Sequence, residues 1–451
     1  MSALPKPGGM KPFFLIWLGQ TISIVGSGLT GFALAVWIFQ QTGRATPFAL
    51  TVLFGTLPRV LLAPVAGSLA DRKNRRWLMI LADTGAALIT LAWVFLVAGG
   101  RLEIWHIYLG AFLSSTFGAF QEPAYTASIA MLVPKKNLAR ANGMVQMSQA
   151  IEILAAPVLA GFLFVLIGLQ GIFLLDFASF FFAAGALLMV RIPQPKAEVE
   201  DAGGKTGVWK DAILGWKYLR ARPGLFWLLV YFAGVNFLMN FAMVLSGPLI
   251  LSFSSPQMYG MLQMVVGVGM LAGSLLISTW GGPQRRVMGL FGFITLAGLG
   301  LGLAGLRQSE LVIAAGMGLL MFNIPLGSGL SQAVFQSKVA PAVQGRVFAI
   351  RIAISRSIMP LAFLLAGPLA DHIFQPLLTP AGALADTFLG TLLGVGPGRG
   401  IGLMFVISSL LLLSISVLAY SNPRIRMLED ELPDTLQEAG DLPSPAAGMA
   451  D

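Results

Sequence analysis

Twelve apolar runs separated by polar breaks set the pattern of this chain: residues 13–40, 47–70, 77–99, 104–132, 142–168, 171–191, 224–251, 257–280, 286–306, 310–335, 346–371 and 400–421. Each is long enough to cross a bilayer core of about 30 Å as a helix. The first is too long for a signal-peptide core and counts as a span. The narrowest break lies between the fifth and sixth runs. One long polar interruption, 192–223, separates six runs from six. It holds an amphipathic stretch, Val208 to Leu219, with Trp209 and Trp216 suited to a membrane interface. The pattern predicts an all-α membrane protein of twelve transmembrane helices: a six-helix bundle over 1–191, a linker over 192–223, and a second bundle over 224–421. An acidic, proline-containing tail over 422–451 reads as disordered.

Composition agrees. Of 451 residues, 56% are hydrophobic and 11% charged, against about 25% charged in soluble domains. The net charge of +9 falls in short loops, so membrane topology accounts for it and no nucleic-acid partner is expected. Lys6, Lys11, Arg72 to Arg76, Lys135, Lys136, Arg140, Arg191 to Arg222, Arg285, Arg286, Lys338, Arg346, Arg351, Arg424 and Arg426 fall on one side. The other side holds little beyond Arg44, Arg101, Arg307 and Arg399. By the positive-inside rule both termini are cytoplasmic. Cysteine is absent and there are two histidines, His106 and His372. No metal site, cofactor or enzymatic centre is expected from so few suitable side chains.

The stretch Gly67-Ser-Leu-Ala-Asp71-Arg72-Lys73-Asn74-Arg75-Arg76 joins the second and third runs. Gly67 and Ala70 are small enough for close helix approach, Asp71 can accept from cations or a helix N-terminus, and Asn74 suits a turn with left-handed backbone angles. The loop resembles the pattern Gly-x-Leu-Ala-Asp-Arg-x-Gly-Arg-Arg of the major facilitator superfamily, with Asn74 replacing a Gly. The resemblance covers about residues 12–421. It implies two pseudo-symmetric six-helix bundles, a monomer, transport of a small molecule across a bilayer, and, for a bacterial chain, the cytoplasmic membrane. Trp280-Gly-Gly-Pro-Gln-Arg285-Arg286 echoes the loop in the second half.

Charges inside spans are costly, about 2.5–3.5 kcal/mol each on insertion scales, and default to functional candidates. They are Arg59, Asp83, Glu122, Glu152 and Arg356, with Asp176 and Asp371 near outer span ends. Counted from the cytoplasmic ends, Arg59, Glu122 and Glu152 share a level about 15–18 Å deep. The expectation is that Arg59 pairs with Glu122, which leaves Glu152 to carry a proton. The alternative is that all are structural ion pairs. Asp83 joins the proton-coupling candidates.

In the fifth run Gly143, Pro157 and Gly161 resemble part of the antiporter pattern of the superfamily, with Ala156 and Ala160 as small substitutes and Glu152 in place of a Gly. They imply a kinked, smooth helix face that lets the halves rock. Pro134 to Gly143, preceded by Glu122-Pro-Ala-Tyr-Thr-Ala-Ser, and Gln344-Gly-Arg-Val resemble the macrolide and siderophore exporter branch. No Arg lies in the fourth run, where many proton-coupled members carry one. By family analogy Gln20, Phe120, Gln121, Tyr125, Phe232, Asn236, Asn240, Phe322, Asn323 and Arg356 line a cavity, with Met239, Met243, Met317 and Met321 nearby. The resulting reading is export of amphipathic small molecules, such as macrolides, in exchange for protons. The alternative is a siderophore or lysolipid as cargo, held by Arg59 and Arg356. The Gly394-Val-Gly396-Pro-Gly398 segment reads as a turn rather than a phosphate loop, for it lacks the preceding strand and lysine.

Overall fold

The computed structural model describes residues 9–192 and 208–432; the side chains at 64, 71, 72, 208–212, 341 and 342 fall outside that description. The membrane-length helices are α1 (Met10–Thr42), α2 (Ala45–Arg72), α3 (Arg75–Ala98) and α4 (Ile104–Leu132), then Leu138–Met189, which contains α5 (138–167) and α6 (169–189). After a linker helix, Val208–Arg220, come α7 (Pro223–Leu251), α8 (Pro256–Trp280), α9 (Arg286–Leu306), α10 (Glu310–Lys338), α11 (Pro341–Leu369) and α12 (Arg399–Ser421). Ten described segments are both long and apolar enough to cross a membrane. The two arms of Leu138–Met189 count there as one, and α4, which carries Gln121 and Glu122, is not among them.

The narrowest break in the hydropathy pattern turns out to be a single residue. Gly168 has φ 65° and ψ −176°, in the region that favours glycine. The contacts of α1 show what it does. Trp17 Nε1 donates to the Met144 carbonyl at 2.7 Å, and the Thr21 and Ser148 hydroxyls lie 2.6 Å apart. Gly28 faces Ala156, so α5 runs alongside α1. On another face Gly19 meets Phe182 and Gly26 meets Ser179, so α6 runs back. The chain reverses at Gly168 without a loop.

Within the first half α1 packs on α5 and α6, α2 on α4, and α3 on α4 and the α5–α6 hairpin; within the second, α8 and α9 pack on α10, α9 and α7 on α12, and α7 on α11. The halves meet chiefly where α5 crosses α8 and α2 crosses α11. Large apolar side chains point outward along the helices, among them Leu88, Phe95, Leu166 and Leu275. Trp77, Trp105, Trp227 and Trp280 are exposed at helix ends, the belt expected at membrane–water boundaries.

Glycine sets close helix crossings in the second half. A Cβ on Gly300 would lie 2.7 Å from the Gly316 carbonyl oxygen and 2.8 Å from the Leu320 nitrogen. Both are backbone atoms and cannot move aside. Gly300→Ala is therefore expected to lower the melting temperature in detergent, at an overpacking cost of about 1–3 kcal/mol. Gly292→Ala, at an exposed site with nothing within 4 Å, is the control. It should be neutral or gain up to about 1 kcal/mol of helix propensity.

Helix ends account for several of the charged residues. Asn74 is the N-cap of α3 with φ −64°, not a left-handed turn residue, and its Oδ1 accepts from Arg76 N at 3.1 Å and Trp77 N at 3.4 Å. Arg75 donates to the Ala70 and Ala127 carbonyls near the ends of α2 and α4. Arg76 donates to the Leu187 and Leu188 carbonyls at the end of α6, each at 2.7 Å. The adjoining arginines thus satisfy orphan carbonyls and oppose negative helix poles. The side chains of Asp71 and Arg72 lie outside the described residues. Gly67 and Gly143 have nothing within 4 Å of an added Cβ, so neither makes the close approach expected of it.

Two of the helices that lack a side-chain cap of their own are capped from elsewhere in the chain. Arg44 precedes α2 and Arg285 precedes α9, and neither can accept a hydrogen bond. Carboxylates from distant segments supply the caps. Asp371 accepts from Ala45 N at 2.8 Å and Thr46 N at 2.7 Å. Glu429 accepts from Arg286 N at 3.0 Å and Val287 N at 3.1 Å. The second contact corrects the reading of the tail from 422 onward as disordered. Pro423–Arg426 and Leu428–Glu431 are helical turns, Ile425 and Leu428 are buried, and Lys338 Nζ donates to the Glu429 and Leu432 carbonyls. The remainder of the tail lies outside the described residues, as do 193–207 of the linker.

The 372–399 segment is also folded. A π-turn, Ala370–Phe374, continues α11, and short helices follow at Gln375–Leu377 and Phe388–Leu393. Gly394, Gly396 and Gly398 have φ of 89°, 132° and 76°, so the glycine-rich stretch is the tight turn the sequence suggests. Arg399, counted in the sequence as a loop charge, is buried and donates to the Gly305 carbonyl at 2.6 Å near the end of α9.

Candidate functional site

The halves close on each other at the end remote from the Arg75–Arg76 loop. There a Cβ on Gly161 of α5 would lie 2.7 Å from the Pro256 carbonyl oxygen, and Gly260 of α8 packs on the Pro157 carbonyl. Gly367 of α11 lies against the Thr46 backbone of α2. Tyr259 of α8 stacks on Phe32 of α1, with ring centroids 4.9 Å apart, and meets Phe48 of α2 edge-on at 6.4 Å. Tyr259 and both phenylalanines are buried, so these rings form an apolar plug across the two halves. The Asp371 cap on α2 spans the same boundary. Beside it is a cavity of about 330 Å³ lined by Gln40, Ala45, Pro248, Asp371, Gln375 and Ile401. The plug, the two glycine crossings and the cap together make a seal. Of the three fifth-run positions, Gly161 and Pro157 belong to it and Gly143 does not.

Glu152 sits one helical turn inside this seal. Its Cγ lies 3.2 Å from where a Cβ on Gly28 would be, and Phe32 of the plug is one turn further along α1. The lack of a side chain at Gly28 makes the room for the carboxylate. Glu152 has no hydrogen bond to the described residues, and the charged group acting on it is Arg59. Arg59 reaches from α2 to Gly118 of α4, where its Nη2 lies 3.0 Å from the position of an added Cβ. It forms no ion pair with Glu122 among the described residues, although Glu122 lies only one turn along α4. The expected Arg59–Glu122 pair is thus replaced by an electrostatic link from Arg59 to Glu152. Level was legible from residue counting; helix rotation was not. Glu122 is exposed.

Asp83 belongs to a relay across three helices. Gln121 Nε2 donates to Gln20 Oε1 at 2.8 Å, and Gln20 Nε2 donates to Asp83 Oδ2 at 2.9 Å. Gln20 is buried and committed to this relay rather than free to line a cavity. Tyr125 is likewise withdrawn into a core with Phe13, Ile16 and Met79. Phe120 is half-buried. In the second half Asn323, Met239, Met317 and Met321 are buried, whereas Phe232, Phe322, Asn236, Asn240 and Met243 are half-buried. Asn236 and Asn240 turn their amides onto the Phe232 and Asn236 carbonyls at 2.8 Å, and Asn323 onto Leu319. A long polar side chain on an apolar helix readily bonds its own backbone. Arg356 is exposed with no acidic partner among the described residues.

Arg351, which the charge census counts on the cytoplasmic side, is a polar group that the set of charges inside spans omits. It lies well inside α11, donating to Gln332 Oε1 at 3.2 Å and Ser331 Oγ at 3.0 Å, with its guanidinium 4.0 Å from the Phe335 ring centroid. Its ten-residue distance from Pro341 was the available signal.

Two packed six-helix halves, lipid-facing apolar surfaces and a polar interior below a one-ended seal define a multi-pass membrane transporter. The sequence profile of the Major Facilitator Superfamily matches residues 16–363, and the chain belongs to that family. It is a transporter of small molecules, not an enzyme. It is 28% identical over 375 residues to Macrolide efflux protein A of Streptococcus pyogenes, covering 80% of this chain and 90% of that protein. It is 24% identical over 441 residues to Multidrug efflux pump Tap of Mycolicibacterium fortuitum, covering 93% and 97%. Among solved structures, a bacterial homolog of the human lysosomal transporter Spinster, inward-facing and unoccupied, superposes with a TM-score of 0.66 at 16% identity, covering 94% of this chain and 99% of that one.

Proposed function

We propose that this protein exports amphipathic small molecules of the macrolide type by alternating access, in exchange for protons. Its efflux relatives support the cargo class. The observation that carries the mechanism is the position of Glu152, one turn beneath the seal between the halves. A carboxylate there meets protons when the seal opens and substrate when it closes. Glu152 carries the proton, Arg59 responds to its charge, and the Asp83 relay and Glu122 serve as further proton groups. Gln121, Phe120, Phe232, Asn236, Asn240, Phe322 and Arg356 border the substrate path. The signature residues Gly67, Asp71, Arg72, Arg75 and Arg76 mark the end that opens. In this reading the sealed end faces outward, both termini are cytoplasmic, and the two bundles of a monomer rock about their shared boundary.

The test is purified protein in proteoliposomes with an imposed pH gradient and a panel of macrolides, hydrophobic cations and siderophores. A macrolide should release protons from the gradient while being transported. Transport without proton movement removes the exchange mechanism. Proton movement only with siderophores favours the second reading, an anionic cargo held by Arg59 and Arg356. Arg356→Glu separates the two, because it should depress anionic cargo and spare macrolides.

A further inference from the structure

A carboxylate more deeply buried than Glu152 lies on the other face of the same turn of α1. Asp176 of α6 accepts from Thr30 Oγ1 at 2.8 Å, Thr90 Oγ1 at 3.1 Å and Ser27 Oγ at 3.2 Å. The hydroxyls come from α1 and α3, so three helices converge on one carboxyl group. Asp176, Thr30 and Thr90 are buried, whereas Ser27 is exposed. Gly26 makes the room: a Cβ there would lie 3.0 Å from Asp176 Oδ1. Ser179 donates to the Asp176 carbonyl at 2.6 Å, which adds another oxygen to the cluster. No Lys or Arg pairs with Asp176 among the described residues.

Three hydroxyl donors suit a carboxylate rather than a carboxylic acid, which would need to place a proton of its own. A buried carboxylate held in that form requires a nearby positive charge. Each hydroxyl oxygen can accept as well as donate; Ser27 meets Oδ1 and Thr30 and Thr90 meet Oδ2, with Thr90 Oγ1 also 3.4 Å from the Ala86 carbonyl. The donor set is all oxygen, the kind that selects hard cations. One carboxylate and neutral hydroxyls match a single positive charge better than a divalent ion. The exposed Ser27 offers an entry point, and it adjoins Gly28, against which Glu152 packs.

We propose that Asp176, Ser27, Thr30 and Thr90 form a binding site for one small monovalent metal cation of the sodium class, separate from the proton site at Glu152. It does not depend on the identity of the exported molecule. The cation joins α1, α3 and α6 and adds a second ionic input beside Glu152.

The experiment is equilibrium binding of radioactive sodium to the purified full-length chain in nanodiscs, at fixed ionic strength. The expected result is saturable binding of one ion per chain, weakened by about tenfold or more in Asp176→Asn. The amide keeps an acceptor for the hydroxyls while removing the charge. Should that variant fail to fold, Thr90→Val and Ser27→Ala each remove one oxygen ligand and should weaken sodium binding with a monodisperse protein retained. Glu152→Gln should leave sodium binding intact. Absence of saturable sodium binding in the wild type overturns the proposal. So does binding unchanged in all the site variants, or uptake of a proton by Asp176 with no effect of sodium.

Discussion

Glu152→Gln should uncouple transport from the pH gradient. The amide fills the same space beside Gly28, so the α1–α5 packing survives, but it cannot carry a proton or attract Arg59. Those two losses matter because of where the partners sit. Arg59 is on α2, which crosses to α11, and Glu152 is on α5, which crosses to α8. In the proposed cycle an ionised Glu152 attracts Arg59 and a protonated one does not. Gradient-driven export in proteoliposomes should fall by at least about tenfold, a change of ~1.4 kcal/mol in the barrier. Exchange of labelled for unlabelled substrate without a gradient should persist. A proton moving through about 100 mV supplies about 2.3 kcal/mol, which is the contribution the variant forfeits. Equal gradient-driven export by both proteins would make Glu152 a packing residue.

Asp371→Ala should open the sealed end. The carboxylate accepts from two backbone N–H groups at the start of α2, a helix whose N-cap residue, Arg44, cannot accept a hydrogen bond. Charge-assisted bonds at a helix N-terminus are stronger than neutral ones, and losing a cap typically costs ~1 kcal/mol. Here the cap lies across the boundary, so the cost falls on the sealed state alone and shifts the population by roughly fivefold to tenfold. The chain has no cysteine, so spin labels can be placed on cysteines introduced at the exposed Gln41 and Phe388 without removing any other. The distance distribution should gain a longer component in Asp371→Ala. An unchanged distribution would show that the glycine crossings and the aromatic plug hold the seal without it.

The architecture was open to reading from hydropathy because the bilayer fixes both the length and the apolarity of each span. The same counting put Arg59, Glu122 and Glu152 at one depth. It could not tell which faced which, since that depends on helix rotation, and Arg59 turns toward Gly118. Side-chain chemistry misled at Gln20 and Tyr125, both polar and both withdrawn into packing. A family analogy assigns helices to a cavity but does not assign their faces. The caps made by Asp371 and Glu429 were hidden for a different reason. Each joins residues far apart in sequence, and only the missing acceptors at Arg44 and Arg285 hinted that a remote group must serve.

The reversal at Gly168 bears on how the protein is made. No polar connector joins α5 to α6; helical hydrogen bonding resumes directly beyond one glycine. During synthesis the first arm has no hydrophilic loop to hold at the far surface while the second is awaited. The two arms are therefore expected to enter the lipid as one hairpin, with the turn drawn across by the paired apolar lengths behind it. A glycosylation acceptor or protease site inserted at 168 would test translocation there, and it would also break the hairpin that makes translocation work.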